Sequence, residues 1–159
     1  MELIENADFF ESMLARWSPN VELRGYTFVE NQAAPFVQVR RALPMLNLAL
    51  ISSAGAYIDG TESFDLEAKD GDLEFREFPK ELGAEDMRYA AKGYDPKAVQ
   101  LDRNAQIPID RLNEYDANNV IGSLNPVWWS ISPWIPNAVR VADEMAPRLA
   151  ERLHRYEVQ

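Results

Sequence analysis

Residues 45–52 read MLNLALIS, and this stretch decides the fold class. Its apolar residues fall on both alternating faces, the pattern of a strand buried on both sides within a parallel sheet. It runs into Ser53-Ala54-Gly55, a small-residue turn, and then into Tyr57. These features predict an α/β fold: one domain over residues 1–159, with a mostly parallel sheet flanked by helices in a Rossmann-like or flavodoxin-like arrangement. Residues 44–159 form the expected core. Residues 1–43 supply an N-terminal helix and an extended arm.

Upstream of the strand, NADFFESMLARW (6–17) sets Phe9, Phe10, Met13, Leu14 and Trp17 at helical spacing. Residues 21–43 alternate only weakly and predict an arm anchored by Phe28 and Phe36. Downstream, Asp70-Gly71 signals a turn, and Leu73, Phe75 and Phe78 predict a short strand with Arg76 on its opposite face. Tyr94 to Ser123 is polar in a patterned way. Lys97 to Arg103 suits one or two helical turns, and Pro108 suits the start of a helix with Ile109 and Leu112 on one face. Asn118-Asn119 ends that helix and a second strand opens near Leu124. Asn137 to Tyr156 predicts a helix kinked at Pro147, with an arginine-rich face turned to solvent.

Composition excludes several function classes. The 159 residues contain no cysteine and one histidine, His154. Thiolate chemistry, disulfides and multi-histidine metal sites therefore have no residues to use. No metal and no cofactor is predicted, since neither a dinucleotide fingerprint nor a phosphate-binding loop occurs. A net charge of −10 argues against nucleic acid and anionic membranes as partners. No run approaches the ~20 apolar residues of a membrane span, and the acidic N-terminus is unlike a signal peptide. A cytoplasmic location is expected.

The candidate site residues follow from position and chemistry. Ligands collect outside the carboxyl ends of strands in α/β sheets, which marks Ser53, Gly55 and Tyr57. Asp95 and Asp102 offer a carboxylate pair for acid–base work, and Asn104 a donor to a developing oxyanion. Arg76 and Arg111 offer planar forks for a carboxylate substrate, with Asp72 beside Arg76 in sequence. Ser130 and Ser132 lie among tryptophans without a nearby base, so a serine hydrolase finds little support. Trp128, Trp129 and Trp134 suit a core, a pocket lining or an interface.

The ordered motifs resemble the selenoprotein B component of glycine/sarcosine/betaine reductase, together with D-proline reductase and short relatives. The similarity starts at LALISSAGAY (48–57) and continues through Phe64, Gly71, Asp72, Arg76 and Pro79. It then takes in Tyr94-Asp95, Ala98, Asp102, Asn104, Pro108, Arg111, Glu114 and Ile121-Gly122-Ser123, and fades in the helix from Asn137. About 100 of the 159 residues are covered. Two departures stand out. The family has a histidine where Ala91 stands here, and its redox chemistry comes from a selenocysteine or cysteine loop beyond the last helix.

The resemblance thus implies a relative without its own thiol or selenol, working as a subunit of a homo-oligomer or of a hetero-oligomer with a Cys- or Sec-containing chain. It implies a small amino-acid-derived carboxylate or amine as ligand. A sheet cut short at its C-terminal edge would expose a strand for that assembly, with the tryptophans at the interface. The alternatives are an acid–base lyase, isomerase or hydrolase, and a scaffold in which Asp72, Arg76, Asp95, Asp102 and Arg111 form a salt-bridge network.

Overall fold

The computed structural model describes residues 36, 38–92 and 94–158. The helix expected over residues 6–17 and most of the arm, including Phe28, lie outside the described residues. Phe36, expected as an anchor, is 85% exposed.

The strands are β1 (Asn47–Leu48), β2 (Ile51–Ser52), β3 (Ala56–Ile58), β4 (Phe75–Pro79), β5 (Met87–Tyr89), β6 (Ser123–Leu124) and β7 (Val127–Ile131). The helices are α1 (Lys97–Leu101), α2 (Ile109–Ala117), α3 (Ala138–Arg140) and α4 (Ala146–Arg155). The stretch MLNLALIS does pair in parallel: β1 with β6, and β2 with β7. Leu48 opposes Leu124, but Ile51 opposes Trp129, so Ala49 and Leu50 face the longer stretch Asn125 to Trp128. The extra residues form a bulge at Asn125-Pro126, where proline has no N–H for the ladder.

The expected extended parallel sheet is not what the described residues form. Their sheets are small and mixed, because β4 joins β7 and β5 joins β3 in antiparallel pairs. The segments leading into β4 and β5 contain no α-helix to act as a crossover. The architecture is α/β.

β7 separates two packing layers. On one face Trp128 stacks on Phe78, ring centroids 4.3 Å apart, within a buried cluster that includes Ala56, Met87, Ile107, Ile109 and Leu124. On the other, Trp129 meets the Tyr156 ring edge-on at 5.7 Å, and its indole N–H donates to Glu77. Trp128 and Trp129 are 2% and 0% exposed, so they serve the interior and not an interface. Trp134 is partly buried beneath the Lys92 ammonium, 5.7 Å from its ring.

The C-terminal helix departs from regular geometry where Pro147 demands it. A π-helical turn over Val141–Met145 joins α3 to α4. It absorbs the carbonyl and ring clash that proline creates one turn back. The arginine face expected to be solvated is exposed at Arg148, Arg152 and Arg155, and it also pairs with carboxylates on and just before β4: Arg140 reaches Asp70 (3.4 Å), Arg148 reaches Glu74 (2.9 Å) and Arg152 reaches Glu77 (3.3 Å). These half-exposed pairs contribute at most about 1 kcal/mol each. Burial of Met145 and Leu149 holds the helix down.

Gly55 joins the two layers, its N–H donating to Ile131 (3.2 Å) and its carbonyl accepting from Ala90 (2.9 Å). Its φ is +65°, and an added Cβ would collide with the Ala90 carbonyl and sit 2.7 Å from Pro133 Cδ. Gly55→Ala is expected to lower stability by about 2 kcal/mol or more, read as a reduced urea midpoint. An unchanged midpoint would show that the junction is not strained.

Candidate functional site

The carboxyl end of β2 is tied to the polar central segment by two bonds. Ser52 Oγ donates to the Gln106 carbonyl at 3.1 Å and accepts from Ala54 N at 3.2 Å. Tyr94 Oη donates to the Ala54 carbonyl at 2.6 Å. Between these ties lies an open groove of about 390 Å³, lined by Ser52, Ser53, Lys92, Tyr94, Gln106 and Pro133. It lies at the carboxyl ends of the parallel strands, where this topology places ligands. Lys92 donates to the Leu66 carbonyl (2.6 Å) and pairs with the exposed Glu67 (3.2 Å). Burial pushes the Tyr94 phenol up from its ordinary range, with a smaller push from Tyr89. The groove therefore presents an ammonium and hydroxyls, with no carboxylate or imidazole on its lining. That set suits binding and orienting a small polar molecule better than moving its protons.

A polar knot closes the central segment just before Gln106. Arg103, its side chain 13% exposed, grips the Asp110 carboxylate through two nitrogens and donates to the Leu82 carbonyl at 2.6 Å. Asn104 Nδ2 donates to Asp102 (3.0 Å) and Asp110 (2.8 Å), while its Oδ1 accepts from Asp110 N (3.2 Å). Arg103 holds the Asp110 carboxyl below the usual range, assisted by Asn104. The Asn104 backbone N–H, then its side chain, lowers that of Asp102. Both carboxylates are thereby stabilised as anions at neutral pH.

The sequence-selected residues fall into separate places. Asp102 and Asn104 meet in the knot. Asp72 and Arg76 pair at 3.6 Å along a groove of about 750 Å³ beside α3 and α4. There Arg76 also donates to the Ser63 carbonyl (3.3 Å) and stacks 4.5 Å over Phe64, so its fork is already engaged. Asp95 accepts from Lys97 N at 3.0 Å and caps α1. Arg111 pairs with Glu114 at 2.9 Å on the exposed side of α2. Tyr57 lines a third hollow, with Arg88 and Tyr89. Ser53 lies on the β2 groove. The charged residues thus make local pairs, not one network.

Sequence reasoning passed over Lys92, Gln106 and Arg103. Arg103 and Asp110 are seven apart but belong to different elements separated by Pro108, so no single periodic run places them together. Tyr94 stood in the quoted motif without a role.

Residues 67–159 match the family described as glycine/sarcosine/betaine reductase selenoprotein B. The chain belongs to this family. The matched residues run through α4, further than the resemblance had reached, while LALISSAGAY precedes them. The chain is also similar to the glycine reductase complex component B subunit gamma of Symbiobacterium thermophilum, 34% identical over 80 residues. That alignment covers 49% of this chain and 18% of the relative, so the chain spans less than a fifth of that protein. No solved structure matches the chain. The selenoprotein B match contains Lys92, Tyr94, Gln106 and the whole Arg103 knot. Among the described residues no group of histidine, cysteine and carboxylate side chains is placed to hold a metal ion. Nor is any described helix long and apolar enough to cross a membrane.

The knot gives a pH-dependent expectation. Asp110 has a depressed folded pKa, so its contribution is present above the unfolded value of about 3.9 and is lost as pH falls below it. Asp110→Asn should cost about 2 kcal/mol at pH 7, because Arg103 loses its partner. The gap from wild type should narrow below pH 4 in thermal melts. A gap that stays constant to pH 3 would remove the pair as its source.

Proposed function

We propose that the chain acts as a component-B-like subunit of a glycine-reductase-type assembly. In this role it binds a small amino-acid-derived carboxylate or amine in the β2 groove. The match of residues 67–159 to the selenoprotein B family carries this reading. The Symbiobacterium thermophilum relative is a component of a glycine reductase complex, which supports an assembly here by analogy. The thiol or selenol that such a reduction needs has no residue among these 159, so it comes from a segment or partner outside them. The small parallel pairs then belong to a larger parallel sheet completed by that segment or partner, in the cytoplasm.

Lys92 and Ser53 are the groups that would receive a ligand carboxylate. Asp102 and Asn104, with the Arg103 knot, would hold the segment that carries Gln106 in place. The ionised, hydrogen-bonded state of Asp102 favours this structural role over proton transfer. Asp95, Asp72, Arg76 and Arg111 are engaged with residues of the chain itself, and Tyr57 lies on the separate hollow with Arg88 and Tyr89.

Affinity purification of the tagged chain from its native host, followed by mass spectrometry, tests the assembly. A stoichiometric polypeptide bearing Cys or selenocysteine is expected, and repeated recovery of the chain alone would overturn it. Titration with glycine, sarcosine and betaine tests the groove. Lys92→Met should weaken the tightest of these at least tenfold, about 1.4 kcal/mol, with the melting temperature kept. Equal affinity in that variant would move the site elsewhere, and Asp102→Asn should leave affinity within a few-fold.

A further inference from the structure

Among the described residues Lys92 is the one charged group lining the β2 groove, and its ammonium is shared with a carboxylate that lies off that lining. Lys92 Nζ donates to the Leu66 carbonyl at 2.6 Å and to Glu67 Oε1 at 3.2 Å, and it stands 5.7 Å from the centre of the Trp134 ring. The two acceptors differ in how firmly they are held. The Leu66 carbonyl belongs to a turn in which Asp65 Oδ1 accepts from Glu67 N (2.9 Å) and Asp65 N donates to Asp72 (3.1 Å). The Glu67 side chain is 89% exposed and makes no other hydrogen bond or ion pair among the described residues. Its backbone is therefore fixed beside Lys92, while its carboxylate is held by one weak, solvated pair. Little opposes its turning to another cation. A ligand carboxylate bonded to Lys92 at about 2.8 Å would lie no more than about 6 Å from Glu67 Oε1, since Glu67 is itself 3.2 Å from that nitrogen. Like charges at that distance repel, more so where protein replaces water. In an α-amino acid the nitrogen is two bonds from the carboxylate carbon, about 2.5 Å away. Its ammonium can then meet Glu67 while its carboxylate keeps Lys92.

Taking the β2 groove as the ligand site, a reading on which this rests, we propose that Glu67 is a specificity-determining residue. It makes the groove prefer a carboxylate that carries an α-ammonium over a carboxylate with no positive charge. Lys92 and Glu67 act together as a pair of opposite charges: Lys92 receives the carboxylate, Glu67 the ammonium, and the exposed pair between them is exchanged for two pairs with the ligand. No proton transfer and no buried charge is needed. Ser53 and Gln106, whose side chains have no hydrogen-bond partner among the described residues, also line the groove but are neutral, so they cannot make this distinction by charge.

Glycine and acetate are suitable probes, because they share a carboxylate and differ in the ammonium. The full-length wild-type chain should bind glycine more tightly than acetate in calorimetric or NMR titrations at low ionic strength. Glu67→Gln keeps the shape of the side chain and removes its charge. It should weaken glycine and tighten acetate, so that the preference for glycine falls about fivefold. The melting temperature should stay where it is, because the altered side chain is exposed. An unchanged preference in Glu67→Gln would overturn the proposal. Lys92→Met tells the two readings apart. If it weakens both probes while Glu67→Gln leaves the preference unchanged, the groove remains the site and Glu67 has no part in its selectivity. If Lys92→Met binds both probes as wild type does, or if neither probe binds wild type or Glu67→Gln, the groove is not the site and the role of Glu67 falls with it.

Discussion

Everything described in this chain depends on β7 being paired on both sides and covered on both faces. A strand in that position must place a large apolar side chain in each layer without leaving its own backbone unsatisfied. Trp128 and Trp129 meet the first demand, one stacked on Phe78 and the other against Tyr156. The pairing of β7 with β2 and β4 meets the second. The bulge at Asn125-Pro126 follows from the same constraint. It lets β6 keep its register with β1 while the two tryptophans reach theirs beside β2 and β4.

Charge is arranged around that strand with the same economy. The acidic residues Asp70, Glu74 and Glu77 lie along the approach to β4 and on it, and the arginines of α3 and α4 lie over them. Arg148 lowers the Glu74 carboxyl below its usual range, and Arg148 is raised in return. Exposed pairs of this kind add little net stability. Their effect is orientation: they fix which face of the helix meets the sheet, while Met145 and Leu149 supply the burial.

Much of this was legible in the sequence where a single period dominates a long enough run. MLNLALIS announced a parallel strand buried on both faces; its parallel pairing is present, but as two two-residue strands with Met45 and Ile51 exposed. Pro108 announced the start of α2, and Asn118-Asn119 its end. The tightly antiparallel parts were not legible. β3 and β5 are three residues each, and β5 carries Arg88 at its centre, so neither offers enough alternation to read. The arginine face of the last helix is exposed as read, but its carboxylate partners, at Asp70 to Glu77, lie about 70 residues upstream and were not legible. For the candidate site, topology alone pointed to the carboxyl end of β2. The residues that face it, Lys92 and Gln106, come from loops whose approach depends on the Ser52 and Tyr94 bonds.

Those two bonds also separate what the site can do from what it cannot. Ser52 and Tyr94 spend their hydroxyl protons on backbone carbonyls, and Asp102 and Asp110 receive their hydrogen bonds from Asn104 and Arg103. A group that already satisfies its neighbours, with a pKa displaced away from neutrality, is poorly placed to exchange protons with a substrate. What remains at the groove is the Lys92 ammonium, which also donates to the Leu66 carbonyl and pairs with Glu67, and the hydroxyl of Ser53. Recognition needs fixed donors, and reduction needs a nucleophilic sulfur or selenium. The groove offers fixed donors, and the 159 residues contain no cysteine.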